Sequence, residues 1–191
     1  MRYLLAITAT VVVLLCSGPG ARAAGEVIIK TGAFRLSESS QQLSDGTNLD
    51  FDQNASGVVG VEAGWRSQEG LALTGELLGY RNNWSSDMNI SGHVDTGAVF
   101  FNIKKYFNAA HKVQPYLGIG LGYAGVDFSS QGEHGYAGDT AYQAMVGLAV
   151  RGKTFGFYSE LNYLSSKPQD NIGDQIDVSG TGLFAGLLIS F

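Results

Sequence analysis

The chain has 191 residues, with 12 Lys and Arg against 17 Asp and Glu, a formal charge of −5, and one cysteine. That balance argues against nucleic acid as a partner and against attachment to a membrane surface through a basic patch. Glycine fills 27 positions, about twice the usual share of roughly 7%, and beyond the N-terminal segment no apolar run reaches the ~18 residues of a membrane helix.

The first element is an export signal. Arg2 supplies the positive start, "LLAITATVVVLLC" (4–16) the apolar stretch, Gly18, Pro19 and Gly20 the break, and Ala21-Arg22-Ala23 the small-x-small cleavage pattern. A signal peptide over 1–23 is expected, leaving one domain over 24–191, 168 residues with a charge of −7. Leu15 stands before Cys16, where a lipoprotein site needs a small residue. Cys16 leaves with the signal, so no disulfide or thiol chemistry is expected in the exported chain.

The mature sequence then divides into alternating stretches near 26–36, 55–66, 71–82, 95–107, 115–127, 140–151, 154–164 and 180–191. Most match the ~9–11 residues a tilted strand needs to cross a bilayer. Glycines inside nearly every stretch, and the lack of a 3.6 period, exclude helices. The connections alternate in length. "SQEG" (67–70), "NAAHKVQ" (108–114) and "GK" (152–153) are short. "SESSQQLSDGTNLDFDQN" (37–54), "NNWSSDMNISGHV" (82–94), "SSQGEHGYAGD" (129–139) and "SSKPQDNIGDQIDVS" (165–179) are long and polar. Short turns on one side and long loops on the other predict an all-β fold, an eight-stranded antiparallel up-and-down transmembrane barrel. The short turns and both termini then lie on the periplasmic side.

The faces agree. Val59, Val61, Ala63 and Trp65 share one face of the second stretch, and Leu117, Ile119, Leu121 and Tyr123 one face of the fifth. The opposite faces carry Gly60, Glu62, Gly64 and Arg66, and Gly118, Gly120 and Gly122. Charges that share a face with glycines, opposite a clean apolar face, put lipid outside and a filled lumen inside; a soluble ligand-binding barrel would reverse this. Trp65, Phe107, Phe155 and Phe191 fall at the periplasmic ends of outward faces and Tyr123 and Tyr163 at the far ends, the two expected interfacial girdles. Eight strands leave an interior only wide enough for side chains. The inward glycines of "GIGLGYAG" (118–125) therefore make room for bulky partners such as Phe100, Tyr158 and Phe184.

"KVQPYLGIGLGYA" (112–124) and "TAYQAMVGLAVRGKTFGFYSELNYL" (140–164) resemble segments of the small outer-membrane barrels of the opacity-protein-like and OmpA-like family. "GLFAGLLISF" (182–191) is similar to the aromatic-terminated signal that the barrel-assembly machinery reads, which assigns that role to Leu187, Ile189 and Phe191. The resemblance implies a monomer in the outer membrane of a Gram-negative-type bacterium, with outer-membrane lipid and lipopolysaccharide around it. It also implies a host or surface ligand at the loops, through adhesion, interaction or envelope integrity. No single activity follows from it. A small porin-like transport protein for ions or apolar solutes is the alternative, and a lipid-modifying enzyme a third reading.

Three groups could carry chemistry. Glu62, Glu76 and Glu160 fall near mid-strand on inward faces, with Lys30, Arg66, Lys104 and Arg151 nearer the periplasmic half. They read as a structural ion-pair network, Lys30 with Glu62 and Glu160 with Arg151, because buried charges must be paired; a gated ion path is the competing reading. His93 and His134 fall in surface loops and His111 in a turn, and neither His93-Val94-Asp95 nor His134-Gly135-Tyr136 gives the His-x-Ser pair of a barrel deacylase. No catalytic residue is expected. Asp45, Asp50 and Asp52, and Asp170, Asp174 and Asp177, cluster in two loops, and "DNIGDQIDV" in the second of them lacks calcium-loop spacing. No metal and no cofactor are expected.

Overall fold

The computed structural model describes residues 23–38, 40–42, 48–51, 54–86, 91–130, 133–169 and 176–191. They form β1 (Ala23–Leu36), β2 (Ser40–Gln42), β3 (Asn48–Phe51), β4 (Ser56–Ser67), β5 (Leu71–Ser86), β6 (Ser91–Tyr106), β7 (Val113–Ser130), β8 (Glu133–Arg151), β9 (Phe155–Ser166) and β10 (Gly180–Ser190). Eight long strands pair antiparallel with their sequence neighbours. β1 closes on β10, with Glu26 opposite Ser190 and Leu36 opposite Gly180, and pairing of β5 with β6 completes the ring. Closure removes the unpaired edges an open sheet would present.

All eight expected stretches are strands, and the alternation within each decides what faces where. Ile119, Phe157 and Leu183 are more than 60% exposed, while their neighbours Tyr158 and Phe184 are buried. The girdle aromatics Phe107, Phe155 and Phe191 are exposed at the short-turn end and Tyr123 and Tyr163 at the other, where Tyr142 joins them. Trp65 is half-buried.

The upper hairpins run longer than the sequence reading allowed. Much of 82–94 and 129–139 is strand, with Trp84 opposite Gly92, His93 opposite Ser129 and Val126 opposite Ala137. The ladder continues past the apolar belt because the backbone still pairs there, but above the belt the outward face turns polar at Arg81 and Asp95 while the inward face carries buried Val94, Val126 and Ala137, so the hydropathy pattern of the belt ends before the strand does. Within the first loop, β2 and β3 form a hairpin that extends the sheet from β5, with Phe51 opposite Trp84.

The lumen is filled in layers. At the long-loop end, Phe34, Val58, Tyr80, Phe100, Val126, Leu164 and Phe184 pack with Phe51, Ile176 and Val178 from the loops. Phe34 stacks on Tyr80 at 4.4 Å between ring centroids. Charges and amides occupy the middle. Below them Tyr106, Tyr116 and Tyr158 pack with Ile28, Met145 and Leu188, and Glu26, Arg66 and Arg151 stand at the short-turn mouth.

Candidate functional site

The middle layer gathers charges from five strands. Lys30 on β1 points inward opposite Gly186 and Gly60. Its Nζ lies 2.5 Å from Glu76, 2.9 Å from Glu160 and 3.6 Å from Glu62. Lys104 on β6 reaches Glu62 at 2.6 Å and Glu160 at 3.3 Å. None of these five side chains is exposed.

Uncharged donors complete the set. Thr74 donates to Glu62 at 2.7 Å. Asn102 and Gln143 donate to the same Glu76 oxygen at 2.7 and 2.9 Å. Tyr116 donates to Glu160 at 2.9 Å, and Tyr158 does so as well. Each carboxylate thus lies within ion-pair distance of a lysine and accepts from at least one neutral donor. A buried ion pair needs such additional hydrogen bonds to offset its desolvation.

The glycines of β7 make the layer fit. A Cβ at Gly118 would collide with Met145 and Lys104, at Gly120 with Asn102 and Gln143, and at Gly122 with Phe100 and the Val99 carbonyl. Close approach of long side chains to bare backbone accounts for three glycines in one strand. Of the three expected bulky partners only Phe100 fills this space.

All seven charges singled out from the sequence point into the barrel, and Lys30 lies 3.6 Å from Glu62 as expected, but the second expected pair is not formed. Glu160 does not pair with Arg151. Its partners are the two lysines, and Arg151 instead donates to Glu26 at 2.8 Å, with its Nε on Gln114 at 2.7 Å. The hairpin makes Arg151 a sequence neighbour of Glu160, whereas Arg151 lies at the mouth and Glu160 in mid-wall. Glu26, which sequence reasoning missed, is 2% exposed and also lies 3.7 Å from Arg66. Its signal was its inward parity with Lys30, at the start of the first stretch.

At the C-terminus, Leu187 pairs with Ile29 and Phe157 on the outward face, and Ile189 with Val27 and Phe155. Phe191 exchanges both backbone hydrogen bonds with Gly25, at 2.9 and 3.0 Å. These contacts place the final residues on the closing seam.

The long-loop end is tied together by side chains. Gln41 donates to the Asp177 carbonyl at 2.7 Å and accepts from its N–H at 2.9 Å. Tyr80 donates to the Val178 carbonyl at 3.1 Å. Partial burial raises the Asp177 carboxyl, but hydrogen bonds from Ser179 and Lys167 outweigh it and hold the group below the usual carboxylate range. On the outer wall Arg81 clasps Asp95, at 2.5 and 2.6 Å, with His93 at 3.8 Å. Asp45, Asp52, Asp170 and Asp174 and the His134 side chain lie outside the described residues. Among the described residues no His, Cys, Asp and Glu side chains are grouped so as to hold a metal.

No family model and no curated protein matches the chain. Solved structures share its fold. Neisserial surface protein A is 15% identical over 90% of this chain and all of that one, with a TM-score of 0.65. OprG of Pseudomonas aeruginosa is 12% identical over 90% and 98%, with a TM-score of 0.62. Ail, the attachment invasion locus protein of Yersinia pestis, is 17% identical over 90% and 100%, with a TM-score of 0.57. At such identities the likeness is one of fold. The chain is a closed, antiparallel, eight-stranded β-barrel, and within that class it is built like the small outer-membrane barrels, apolar outside and polar in mid-lumen.

Proposed function

We propose that the chain is an integral outer-membrane protein, exported through a signal peptide cleaved after Ala23, that acts through its surface loops and not by catalysis or transport. The barrel is the anchor, a monomer in outer-membrane lipid and lipopolysaccharide. The loops mediate adhesion, interaction or envelope integrity. The observation that carries this reading is the sealed lumen: an apolar plug, a charge layer with no exposed side chain, and a tyrosine layer in series. A solute would have to break all three.

Ail has been solved in complex with the heparin analogue sucrose octasulfate, which supports surface-ligand binding as a use of this fold. The charge of the present loops favours another ligand class. Glu38, Asp50, Asp95, Asp127, Asp139 and Asp177 lie toward this end, and of its few cations Arg81 and Lys167 already pair with Asp95 and Asp177. Such a surface attracts cationic partners and repels polyanions. The barrel-assembly machinery is the partner proposed for Leu187, Ile189 and Phe191.

The test combines protease nicking of intact cells with a planar-bilayer recording. Loop cleavage without steady current is expected. A stable unitary conductance would overturn the anchor reading in favour of the porin-like one.

A further inference from the structure

The short-turn mouth has one acceptor too few for its cations. Arg66, Arg151 and Glu26 converge beneath the tyrosine layer, two guanidinium groups on one carboxylate. Arg151 is fully engaged: Nε on Gln114 at 2.7 Å, one terminal nitrogen on Glu26 at 2.8 Å and the other toward the Ser190 hydroxyl at 3.4 Å. Arg66 is not. Its Nε is buried, lies 3.7 Å from the Glu26 carboxylate and has no hydrogen-bond acceptor among the described residues.

Both guanidinium carbons sit over the Tyr106 ring, 4.8 Å from its centroid for Arg151 and 6.0 Å for Arg66. The two like charges are therefore held together on one aromatic face. The carboxylate excess of the middle layer lies beyond Tyr106 and Tyr116 and offers Arg66 no acceptor. Of the three ions at the mouth Arg66 is the most accessible, its side chain 15% exposed against 7% for Arg151 and 1% for Glu26.

We infer that the short-turn mouth binds a soluble oxyanion, a carboxylate or phosphate group, with Arg66 as its principal ligand. A guanidinium fork matches either group with paired, charge-assisted hydrogen bonds. Arg66 faces the lumen and not the outer wall, so the ligand arrives along the barrel axis from water. That geometry disfavours a lipid headgroup, which would stand outside the wall. Under the orientation proposed above the mouth opens to the periplasm, where the ligand would be a free carboxylate of a peptide or a phosphate-bearing solute. Binding itself does not depend on that orientation.

The test uses the full mature chain in nanodiscs of a zwitterionic lipid, with the arginine Nε–H resonances followed by NMR at constant ionic strength. A tetraglutamate peptide and sodium phosphate are titrated separately. A saturable shift of the Arg66 Nε–H is expected with at least one of them, and which one identifies the chemistry. Arg66→Gln keeps the Arg151–Glu26 pair and should weaken the response of the neighbouring Ser67 and Tyr106 amides at least tenfold. Lys153→Gln, on the exposed turn outside the mouth, should change it less than twofold. No saturable shift with either probe, or equal losses in the two variants, would overturn the inference. Neither result would bear on whether the loops bind a ligand or the lumen conducts.

Discussion

Replacing Lys30 by Met should cost far more than removing the charge of its nearest partner, although both changes break the same 2.5 Å ion pair. The difference comes from the charge count of the sealed layer. Lys30 and Lys104 face Glu62, Glu76 and Glu160, so the wild-type layer already holds one carboxylate more than it has ammonium groups. Lys30→Met leaves three carboxylates to Lys104 alone. Breaking a buried pair costs about 3–5 kcal/mol, and this variant should fall at the upper end. Glu76→Gln leaves two cations with two anions and forfeits mainly a charged hydrogen bond, about 1.5–3 kcal/mol. A gap of about 2 kcal/mol is roughly thirtyfold in the unfolding equilibrium. The double variant should cost less than the sum of its parts by about 1–3 kcal/mol, since the residues are in contact. Urea unfolding of protein refolded in lipid vesicles, read by tryptophan fluorescence and by heat-modifiable gel mobility, measures all three. Equal losses for the two single variants, or strict additivity in the double, would refute the charge-count argument.

Arg151→Met should fail to rescue Glu160→Leu in the same urea assay, because Arg151 pairs with Glu26; recovery of stability would contradict the pairing. Gly120→Leu, which drives a side chain into Asn102 and Gln143, should abolish the heat-modifiable folded form, whereas Gly97→Ala, where nothing lies within 4 Å of the added carbon, should leave it intact. Ile119→Arg on the lipid face should cost about 2–4 kcal/mol, and deletion of Phe191 should lower outer-membrane levels measured by cell fractionation. Asp177 titrates below its unfolded value of about 3.9, so the stability it gives the loop strap is complete above that pH and is lost as pH falls through the lower folded value. Amide exchange at 176–179 should therefore be insensitive to Asp177→Asn only at the acid end of that window, and a pH-independent difference between the two proteins would sink the assignment.

The barrel wall was legible in the sequence because an apolar outer face and a packed lumen impose a period of two across each apolar stretch. Val59 to Trp65 and Leu117 to Tyr123 follow it without interruption. The upper hairpins were less legible, since there the outward face turns polar, at His93 and Asp127, and the pattern of the apolar belt ends while the ladder persists. The apolar upper lumen was also missed. There Phe34, Tyr80, Val94 and Val126 are inward residues as greasy as the outward ones, so hydropathy no longer distinguishes the faces. Membership of the charge layer could be read from parity, but pairing could not. Lys30 meets Glu160 across 130 residues and Arg151 meets Glu26 across 125, contacts that exist only because the ends of the chain are joined.

That join has a further consequence for registration. Along the seam of β1 and β10, Lys30 faces Gly186, Gly32 faces Phe184 and Phe34 faces Gly182, each large inward side chain opposite a glycine. A slip of one residue reverses every side chain of a strand between its two faces. For β1 it would carry Lys30 and Glu26 onto the apolar outer face and bring Val27 and Ile29 against the charges. A slip of two residues would keep the faces but set Phe34 against Phe184 in one direction and Lys30 against Phe184 in the other, two large side chains in a space shaped for one. The last strand to pair is thus admitted in a single alignment, and a misaligned closure would remain an open, exchangeable seam until the chain found it.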